Sequence, residues 1–379
     1  MDKIYIIPSR MTKKRKILCM IDMLVSGGAQ RQLVELAMGY KERGYEVAFL
    51  IYYRAFDSYY DSVLQQASIP IYDVNESNYL LRILRIRHKM KAYNPDVVIA
   101  FLEVPSFIAE MASILPHHWK LIVGERSASP KKLTNRRWRF FLHCHRFADA
   151  IVANSNANLD IVRKVAPELD SKKQFVIYNS LNPDKFRLDK HFEFGKNKRR
   201  NILVASSHQY IKNLDGLVEA MHLLSPQIRE HLHIDWYGHN KFSAYDHSLD
   251  DGKQKIEKYG LKDLFSFHEA TLNIYDYMRE ADAIGLFSKY EGFPNAICEG
   301  MYLGKPIIAT AVSDIPLLLK ESENAFLADP QSPQSIAMAI EKFLFTSPEK
   351  LQKIGSNNRD KATILFNKEN ILNQYEQLF

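Results

Sequence analysis

The chain has 379 residues, of which 46% are hydrophobic, and this length and composition predict two folded domains and exclude an intrinsically disordered protein. No apolar run approaches the roughly 20 residues that cross a bilayer, so we expect no transmembrane helix. Residues 1–182 carry 27 Lys and Arg against 17 Asp and Glu, whereas residues 183–379 carry 24 against 27. The basic first half fits a solvated face, an anionic membrane surface or nucleic acid. Trp138, Phe140 and Phe141 beside arginines favour the membrane, because such rings can lie at a headgroup interface.

The three cysteines, Cys19, Cys144 and Cys298, are widely spaced and indicate neither a disulfide framework nor a metal motif. They predict a reducing, cytoplasmic location. The apolar run that follows the first basic cluster is short and contains an aspartate, so it is not interpreted as a secretory signal. Met11 offers a second start, and residues 1–10 are interpreted as an extension.

The first half alternates apolar strands with helical stretches, which predicts a parallel sheet with helices on both faces. A helix is predicted over 29–44, where the apolar residues recur with helical spacing and Gly44 ends the run. Strands are predicted over residues 16–22, 46–52, 96–102, 120–125, 150–155 and 174–180.

A polar, charged stretch without a period interrupts this alternation and predicts a linker. The alternation then restarts with a helix over 213–224 and strands over 202–207, 232–238, 265–270, 283–287 and 306–310. We therefore predict an N-terminal domain over 1–182, a linker over 183–200 and a C-terminal domain over 201–363. The amphipathic stretch 364–379 is predicted to be a helix that packs back on the N-terminal domain, or else an ordinary terminal helix. Two such halves imply a ligand-binding cleft between them.

The stretch YEGFPNAICEGM, residues 290–301, places two glutamates on either side of a predicted helix start. Pro294 suits that start, and Asn295 is a possible cap. Backbone amides at a helix N-terminus bind phosphate. Carboxylates repel phosphate but accept hydrogen bonds from hydroxyls, so Glu291 and Glu299 are predicted to hold sugar rings on either side of a diphosphate. That arrangement fits a nucleoside diphosphate sugar.

Two turns between a strand and a helix add to this site. Lys212 lies in the turn ASSHQYIKNLDG, where it can neutralise a leaving diphosphate. Gly27 and Gly28 lie in the turn SGGAQR, where they permit close approach of the backbone to a ligand. A solvated lysine and a plain tight turn are the alternatives. The second turn is not a G-x-G-x-x-G fingerprint, which disfavours a dinucleotide oxidoreductase.

The two glutamates have other interpretations. Each could be a solvated surface acid. Together they could be a glycosidase carboxylate pair, but that would leave the helix start and Lys212 unexplained.

A family resemblance rests on these residues. The run SKYEGFPNAICEGMYLGKPIIATAVSDIP closely resembles the Glu–seven–Glu signature of retaining family-four glycosyltransferases. The runs GGAQR, VIYNSLNPDKF, KNLDGLVEA, WYG and YMREADAIGLF resemble the family's other landmarks, in the expected order and over nearly the whole chain. The resemblance implies the GT-B fold, an α/β architecture in which two Rossmann-like domains with parallel sheets face each other across a cleft.

The resemblance also implies roles for particular residues. Glu299 would hold the ribose hydroxyls, Lys212 the diphosphate, and Gly27 and Gly28 would face the donor or acceptor. The donor sugar and phosphates would be held by Glu291, Gly292, Phe293, Pro294 and Asn295. The family is metal-independent, so no metal and no cofactor are expected. Asp250 and Asp251 are interpreted as solvated acids in a loop.

Two departures from the family pattern stand out. The family commonly has an arginine five residues before the lysine, where this chain has Ser207, and His208 is a candidate substitute for that charge. Many members also have a histidine after a central strand of the first domain. The comparable stretch, LIVGERSAS, offers Glu125 and Arg126 as candidates for contacting the acceptor or donor, or as a structural ion pair.

We predict a retaining glycosyltransferase that moves a sugar from a nucleoside diphosphate donor, with UDP the expected nucleotide, to a hydroxyl of a glycan or lipid-linked acceptor. Surface polysaccharide or glycoconjugate biosynthesis is the expected setting. The enzyme is expected in the cytoplasm, peripheral at an anionic inner membrane, with no nucleic-acid partner. The alternatives are a glycoside phosphorylase or hydrolase on a similar frame, a non-catalytic sugar-binding protein, and a nucleic-acid binder.

Overall fold

A computed structural model describes residues 15–25, 27–54, 59–186, 199–239, 246–320 and 326–379. The predicted extension 1–10 lies outside the described residues, as do most of the predicted linker and Ser26 of the glycine turn. The described residues form two β-sheets and the helices that surround them.

The first sheet has seven strands in the order β3-β2-β1-β4-β5-β6-β7. Its strands are β1 Lys16–Met20, β2 Glu46–Ile51, β3 Ile71–Asp73, β4 Val97–Phe101, β5 Lys120–Glu125, β6 Ala150–Ala153 and β7 Gln174–Val176. The pairs that β1, β2 and β4 form with their neighbours are parallel. Its central strands are buried almost throughout, as expected for a parallel sheet that is covered on both faces.

The second sheet has six strands in the order β10-β9-β8-β11-β12-β13, and its pairs are parallel. Its strands are β8 Arg200–Ala205, β9 Leu232–Tyr237, β10 Phe265–His268, β11 Ala283–Leu286, β12 Ile307–Thr310 and β13 Phe326–Ala328. The chain runs outward from β8 to β10, then returns to place β11 on the other side of β8. The boundary between β8 and β11 is therefore a topological switch point, where open α/β sheets bind ligands.

Sixteen α-helices are assigned in the part of the chain that the structure describes. Those up to the end of the first sheet are α1 Gly28–Glu42, α2 Asp61–Gln66, α3 Tyr79–Tyr93, α4 Glu103–Ala112, α5 Lys131–Thr134, α6 Arg136–Cys144 and α7 Asn156–Val165. Those that follow are α8 Leu214–Leu223, α9 Pro226–Arg229, α10 Ser248–Lys258, α11 Ile274–Glu280, α12 Asn295–Tyr302, α13 Ile315–Leu319, α14 Pro333–Leu344, α15 Pro348–Leu365 and α16 Lys368–Glu376.

The chain divides into two compact units. The first holds the described residues up to Gly124 with Cys144–Ile151 and Tyr375–Phe379, and the second holds Glu125–His143 and Val152–Gln374. Within the first unit, the C-terminal residues pack against α1. The Phe379 ring lies 5.3 Å from the Tyr40 ring, and Arg43 Nη1 lies 2.7 Å from Glu376 Oε1.

The predicted strands are confirmed, with ends that shift by a few residues. One prediction is wrong: Asp250 and Asp251 lie in the first turn of α10 rather than in a loop. Gly252 lowers the helical propensity of this stretch, but it lets the Leu214 side chain of α8 approach, since an added Cβ would lie 2.4 Å from it. Tertiary packing therefore overrides the local sequence. Within the described residues, no helix is long and apolar enough to cross a membrane.

Candidate active site

Two loops of the second unit meet at the carboxyl edge of its sheet, beside the switch point. One follows β8 and the other follows β11. The Lys289 amide donates to the Ile211 carbonyl oxygen at 2.8 Å, and Thr310 Oγ1 at the end of β12 donates to the Ser288 carbonyl oxygen at 2.6 Å. These bonds fix the second loop against both neighbouring strands.

The two loops bring the carboxylate of Glu291 and the ammonium group of Lys212 together. Lys212 Nζ lies 2.6 Å from Glu291 Oε1, and Ser288 Oγ donates to the same oxygen at 2.6 Å. Both charged side chains are largely buried, so water screens their attraction weakly. Lys212 and Glu291 are 79 positions apart in the sequence, and the fold brings them into contact.

Lys212 ends a short 3-10 turn, Tyr210–Lys212, that enters α8. Asn213 follows in the left-handed region, with φ of 62°, a conformation that asparagine tolerates better than most residues. Its Nδ2 donates to the Pro330 carbonyl oxygen at 3.1 Å. This hydrogen bond anchors the turn that presents the lysine.

Gly292 is required by a close approach of two chain segments. A Cβ at this position would lie 2.5 Å from the carbonyl oxygen of Arg126, which is a backbone atom that cannot move aside easily. Ser313 Oγ also donates to the Gly292 carbonyl oxygen at 3.2 Å. The loop after Glu291 is therefore held between two other segments of the same unit.

Helix α12 begins at Asn295, as predicted, but that residue does not cap it. Pro294 occupies the cap position, and no described side chain caps the helix start. Asn295 Oδ1 instead accepts from Asn179 Nδ2 at 2.9 Å, and Asn179 Oδ1 accepts from Arg126 Nη1 at 3.3 Å. In this first turn the Asn295 and Ile297 amides donate to the Phe293 and Pro294 carbonyl oxygens, each at 3.0 Å, so the uncapped start offers an anion the Ala296 amide and the positive end of the helix dipole.

The other predicted residues of this stretch have distinct environments. Phe293 is buried, and its ring lies 5.6 Å from that of Tyr178 and 6.1 Å from that of Phe366, so its side chain belongs to the core. Glu299 lies inside α12 and is also buried, with Oε1 accepting from the Tyr275 hydroxyl at 3.4 Å. A buried carboxylate that accepts from a hydroxyl is a suitable acceptor for further hydroxyls.

His208, the candidate substitute for the missing arginine, lies in an environment that disfavours a positive charge. Burial and, to a smaller extent, the positive charge of Lys253 together lower the pKa of its imidazole to about 4. The ring lies 5.6 Å from Trp236 and 5.7 Å from Phe267. His208 is therefore neutral at neutral pH, and any role it has toward a donor is that of a neutral hydrogen-bonding group.

Glu125 and Arg126 have separate roles in the second unit. Glu125 is buried and forms an ion pair with the buried Lys132, which matches the structural alternative that the sequence left open. Arg126 lies beside the loop of Gly292 and reaches α12 through Asn179. A contact of either residue with acceptor or donor stays a prediction.

Gly27 and Gly28 lie at the start of α1 in the first unit. Gly27 has extended backbone with φ of −164°, so its conformation does not require glycine. A Cβ there would approach the flexible side chain of Gln30. Their proposed contact with donor or acceptor stays a prediction.

Sequence reasoning missed three residues of the site: Ser288, Asn179 and Tyr275. Ser288 lies three residues before Glu291, a spacing that could have suggested a contact. Asn179 and Tyr275 are 116 and 24 residues from their partners in α12, and no local pattern indicates either bond.

Two family models match the chain side by side. Glycosyltransferase Family 4 matches residues 26–185, and Glycosyl transferases group 1 matches residues 186–361. With the two parallel sheets, these matches define a glycosyltransferase of the GT-B fold. The two matches together span residues 26–361, so the chain belongs to the glycosyltransferases that these two models describe, which confirms the predicted resemblance.

Curated relatives are similar over part of their length. The D-inositol 3-phosphate glycosyltransferase of Streptomyces griseus is 26% identical over 160 residues, covering 41% of this chain and 33% of that protein. The putative colanic acid biosynthesis glycosyltransferase WcaL of Salmonella typhimurium is 28% identical over 131 residues, covering 32% of each. The chain thus spans about a third of the length of these two relatives.

Solved structures are similar over the whole chain. Anabaena Alr3699/HepE in complex with UDP and glucose has a TM-score of 0.81 at 21% identity, covering 96% of this chain and 98% of that one. A glycosyltransferase from Rickettsia africae has a TM-score of 0.82 at 19% identity, covering 97% and 98%. At such identities the likeness establishes the fold.

Proposed function

We propose that this protein transfers a sugar, with retention of configuration, from a UDP-sugar to a hydroxyl of a glycan or lipid-linked acceptor. The observation that carries this proposal is that Glu291 Oε1 accepts hydrogen bonds from Lys212 Nζ and Ser288 Oγ, both at 2.6 Å. Glu291 lies four residues before Asn295, where α12 begins without a side-chain cap. A hydroxyl-binding carboxylate, a phosphate-binding cation and a phosphate-binding helix start then adjoin one another.

Glu291 is the proposed contact for the transferred sugar. Its hydrogen bonds from described residues reach Oε1, which leaves Oε2 for sugar hydroxyls. Those bonds also fix the orientation of the carboxylate before the donor binds. Glu299, deeper in α12, is the proposed contact for the ribose hydroxyls.

Lys212 and the first turn of α12 are the proposed contacts for the diphosphate. An ammonium group has three protons, so Lys212 can keep its bond to Glu291 and still donate to phosphate oxygens. Negative charge grows on the diphosphate as the bond to the sugar breaks. A fixed cation and a fixed helix start in a partly dry site stabilise that charge more than water would.

The proposed reaction needs no protein base. The bond between the anomeric carbon and the phosphate oxygen breaks, and a bond from the acceptor oxygen to the same face of that carbon forms. The acceptor proton moves to the leaving phosphate oxygen. Lys212 and the start of α12 supply charge stabilisation, so we also propose that the reaction is independent of metal ions.

The comparisons support the nucleotide and the setting. HepE is a structural neighbour whose complexes contain UDP and UDP-glucose, and WcaL is a relative named for colanic acid biosynthesis. We propose surface polysaccharide or glycoconjugate biosynthesis as the setting. A cytoplasmic location at an anionic inner membrane is part of the proposal, since lipid-linked acceptors lie there and the first half of the chain is basic.

A screen of nucleotide sugars for release of the nucleoside diphosphate tests this function. We expect one UDP-sugar to be turned over slowly with water and to raise the melting temperature. Glu291→Ala and Glu299→Ala should lower kcat/KM for that donor, and chelation of metal ions should leave the rate unchanged.

Three outcomes would contradict the proposal in different ways. If no donor is turned over or stabilises the protein, the transferase function is wrong. If both glutamate variants keep full activity, the site is wrong. Release of sugar from a glycan without any nucleotide would indicate a hydrolase or phosphorylase.

A further inference from the structure

We propose that the exposed side of α3, together with the turn after α4, is the surface by which the protein docks on an anionic lipid bilayer. This surface is called the α3 face and consists of Leu80, Leu81, Leu84, Arg85, His88, Lys89, Lys91, Ile114 and Leu115. The inference rests on the proposed function, which sets the acceptor at a membrane. It goes further because it names the residues that reach the lipid.

Three leucines of α3 point into water. Leu80, Leu81 and Leu84 are 72%, 46% and 61% exposed. They adjoin one another, since residues three and four apart share one side of a helix. Asn78 Oδ1 accepts from the Leu80 and Leu81 amides at 3.0 and 3.1 Å, so the helix start that presents them is capped. A cluster of this kind on a soluble surface marks an interaction site.

The turn after α4 adds two more aliphatic side chains, because it is fastened to α3. Ile114 and Leu115 are 51% and 58% exposed. Arg87 of α3 is buried beneath them, and its guanidinium donates to the carbonyl oxygens of Ala112 and Pro116 at the end of α4. At the other end of α3, the Tyr79 ring stacks 6.2 Å from that of Phe107 in α4. The two helices therefore present one continuous surface.

The ionisable side chains on this surface are basic. Arg85, His88, Lys89 and Lys91 are exposed along the same side of α3. Two acids border them, and both are paired. Glu76 is mostly buried with Oε2 3.0 Å from Arg85, and Asp73 Oδ2 lies 3.4 Å from Arg54. Lys89 and Lys91 make no ion pair within the described residues, so their charge faces solvent.

Leucine beside lysine on one helix side is the pattern of an interfacial helix. The aliphatic side chains gain by leaving water for the boundary of headgroups and acyl chains, and the lysines gain from anionic headgroups above it. A second copy of the chain would oppose basic side chains to basic side chains, which disfavours self-association. Nucleic acid offers no partner for five aliphatic side chains, and this surface has no exposed aromatic platform on which bases could stack.

Co-sedimentation of the full chain with vesicles tests the proposal. The probes are phosphatidylcholine vesicles with and without phosphatidylglycerol, at low salt. We expect binding to the anionic vesicles and little binding to the neutral ones. The triple variant Leu80→Ser/Leu81→Ser/Leu84→Ser should weaken binding by about tenfold or more. Lys89→Gln/Lys91→Gln should weaken it by about fivefold for each charge removed.

Matched controls come from the second unit. Met338, Phe345 and Ile364 are apolar residues that are 69%, 73% and 69% exposed, and Lys350 and Lys353 are exposed lysines. Their triple serine variant and their double glutamine variant should bind vesicles as the wild type does. Thermal unfolding checks that each variant is folded. Release of nucleoside diphosphate in solution, without vesicles, should be unchanged in every variant.

Each other result overturns the proposal. Equal loss in the α3 and control variants would reduce the binding to a general charge effect. Equal binding to neutral vesicles, or full displacement by duplex DNA, would contradict an anionic bilayer as the partner. Failure to bind any vesicle, while donor turnover persists, would refute the docking surface and leave the proposed transferase activity standing.

Discussion

The candidate active site and the α3 face use similar charged residues in opposite ways. In the active site, Lys212 and Glu291 lie 2.6 Å apart and are largely buried. On the α3 face, Lys89 and Lys91 are exposed, and within the described residues neither has a carboxylate partner. A buried, fixed charge acts strongly on one atom of a ligand, whereas exposed charges act weakly, collectively and in a way that salt screens. The comparison separates a site built for chemistry from a surface built for attachment.

The largest expected effect comes from removing the fixed charge. Lys212→Met should lower kcat for donor turnover by about 10²- to 10³-fold, because negative charge that develops on the diphosphate loses its cation. Steady-state release of nucleoside diphosphate measures this. Lys212→Arg is the control that retains charge but changes the geometry, and it should recover part of the rate. If Lys212→Met kept the wild-type kcat, the pair with Glu291 would be a structural ion pair.

The neutral histidine beside this site gives the next effect. In the folded state His208 stays unprotonated down to about pH 4, because its pKa is lowered to that value, whereas an ordinary imidazole has a pKa of 6.5. The unfolded state therefore binds more protons between these values, and stability falls as the pH falls. Between about pH 7.5 and about pH 5, the free energy of unfolding should drop by about 2 kcal/mol more in the wild type than in His208→Phe.

Denaturant unfolding at the two pH values measures this difference. His239, an exposed histidine whose carbonyl oxygen accepts from the His208 amide, provides the control variant His239→Phe, and this variant should follow the wild type. Equal pH dependence in the wild type and His208→Phe would mean that folding does not lower the pKa of His208. The active site would then gain a second cation below about pH 6.5, and its contrast with the α3 face would weaken there.

A smaller effect should come from the support beneath α12. Asn179→Ala removes the bond to Asn295, so the helix start should bind the diphosphate less well, and KM for the donor should rise by about tenfold. We expect kcat to change less, since Lys212 and Glu291 keep their contacts. Asn358→Ala is a matched control, because Asn358 is also buried and donates at 2.9 Å to a backbone oxygen, that of Lys305. Equal changes in KM for the two variants would indicate a general loss of stability.

The sequence predicted the elements that depend on local pattern. Buried parallel strands are apolar runs, so β5 was predicted with its observed limits, and the helix after Glu291 was predicted to begin where α12 begins. Strands β3 and β13 were missed, since each has three residues and shows no usable period. Helix α10 was missed because Gly252 and the two aspartates resemble a loop, and a contact with α8 compensates.

The site, like the fold, was predictable where a local sequence pattern marks the residue. Lys212, Glu291 and Glu299 follow from motif and position, and the structure places the first two in contact. The bond between Asn179 and Asn295 depends on packing between segments 116 residues apart, which local sequence does not encode. Whether the candidate His208 carries a charge was not predictable for a related reason. The sequence shows that an imidazole is present at position 208, but its burial beside Trp236 and Phe267 determines the pH at which it binds a proton.

A change in salt concentration should have the smallest effect, and it compares the active site with the α3 face most directly. Raising the ionic strength from low to physiological values should weaken binding to anionic vesicles by about fivefold, because the exposed lysines of the α3 face are screened. The same change should leave kcat for donor turnover in solution nearly constant, since the pair of Lys212 and Glu291 is largely buried. Parallel salt series on sedimentation and on kcat measure both. If kcat fell in step with vesicle binding, the charges of the active site would be as exposed to solvent as those of the α3 face.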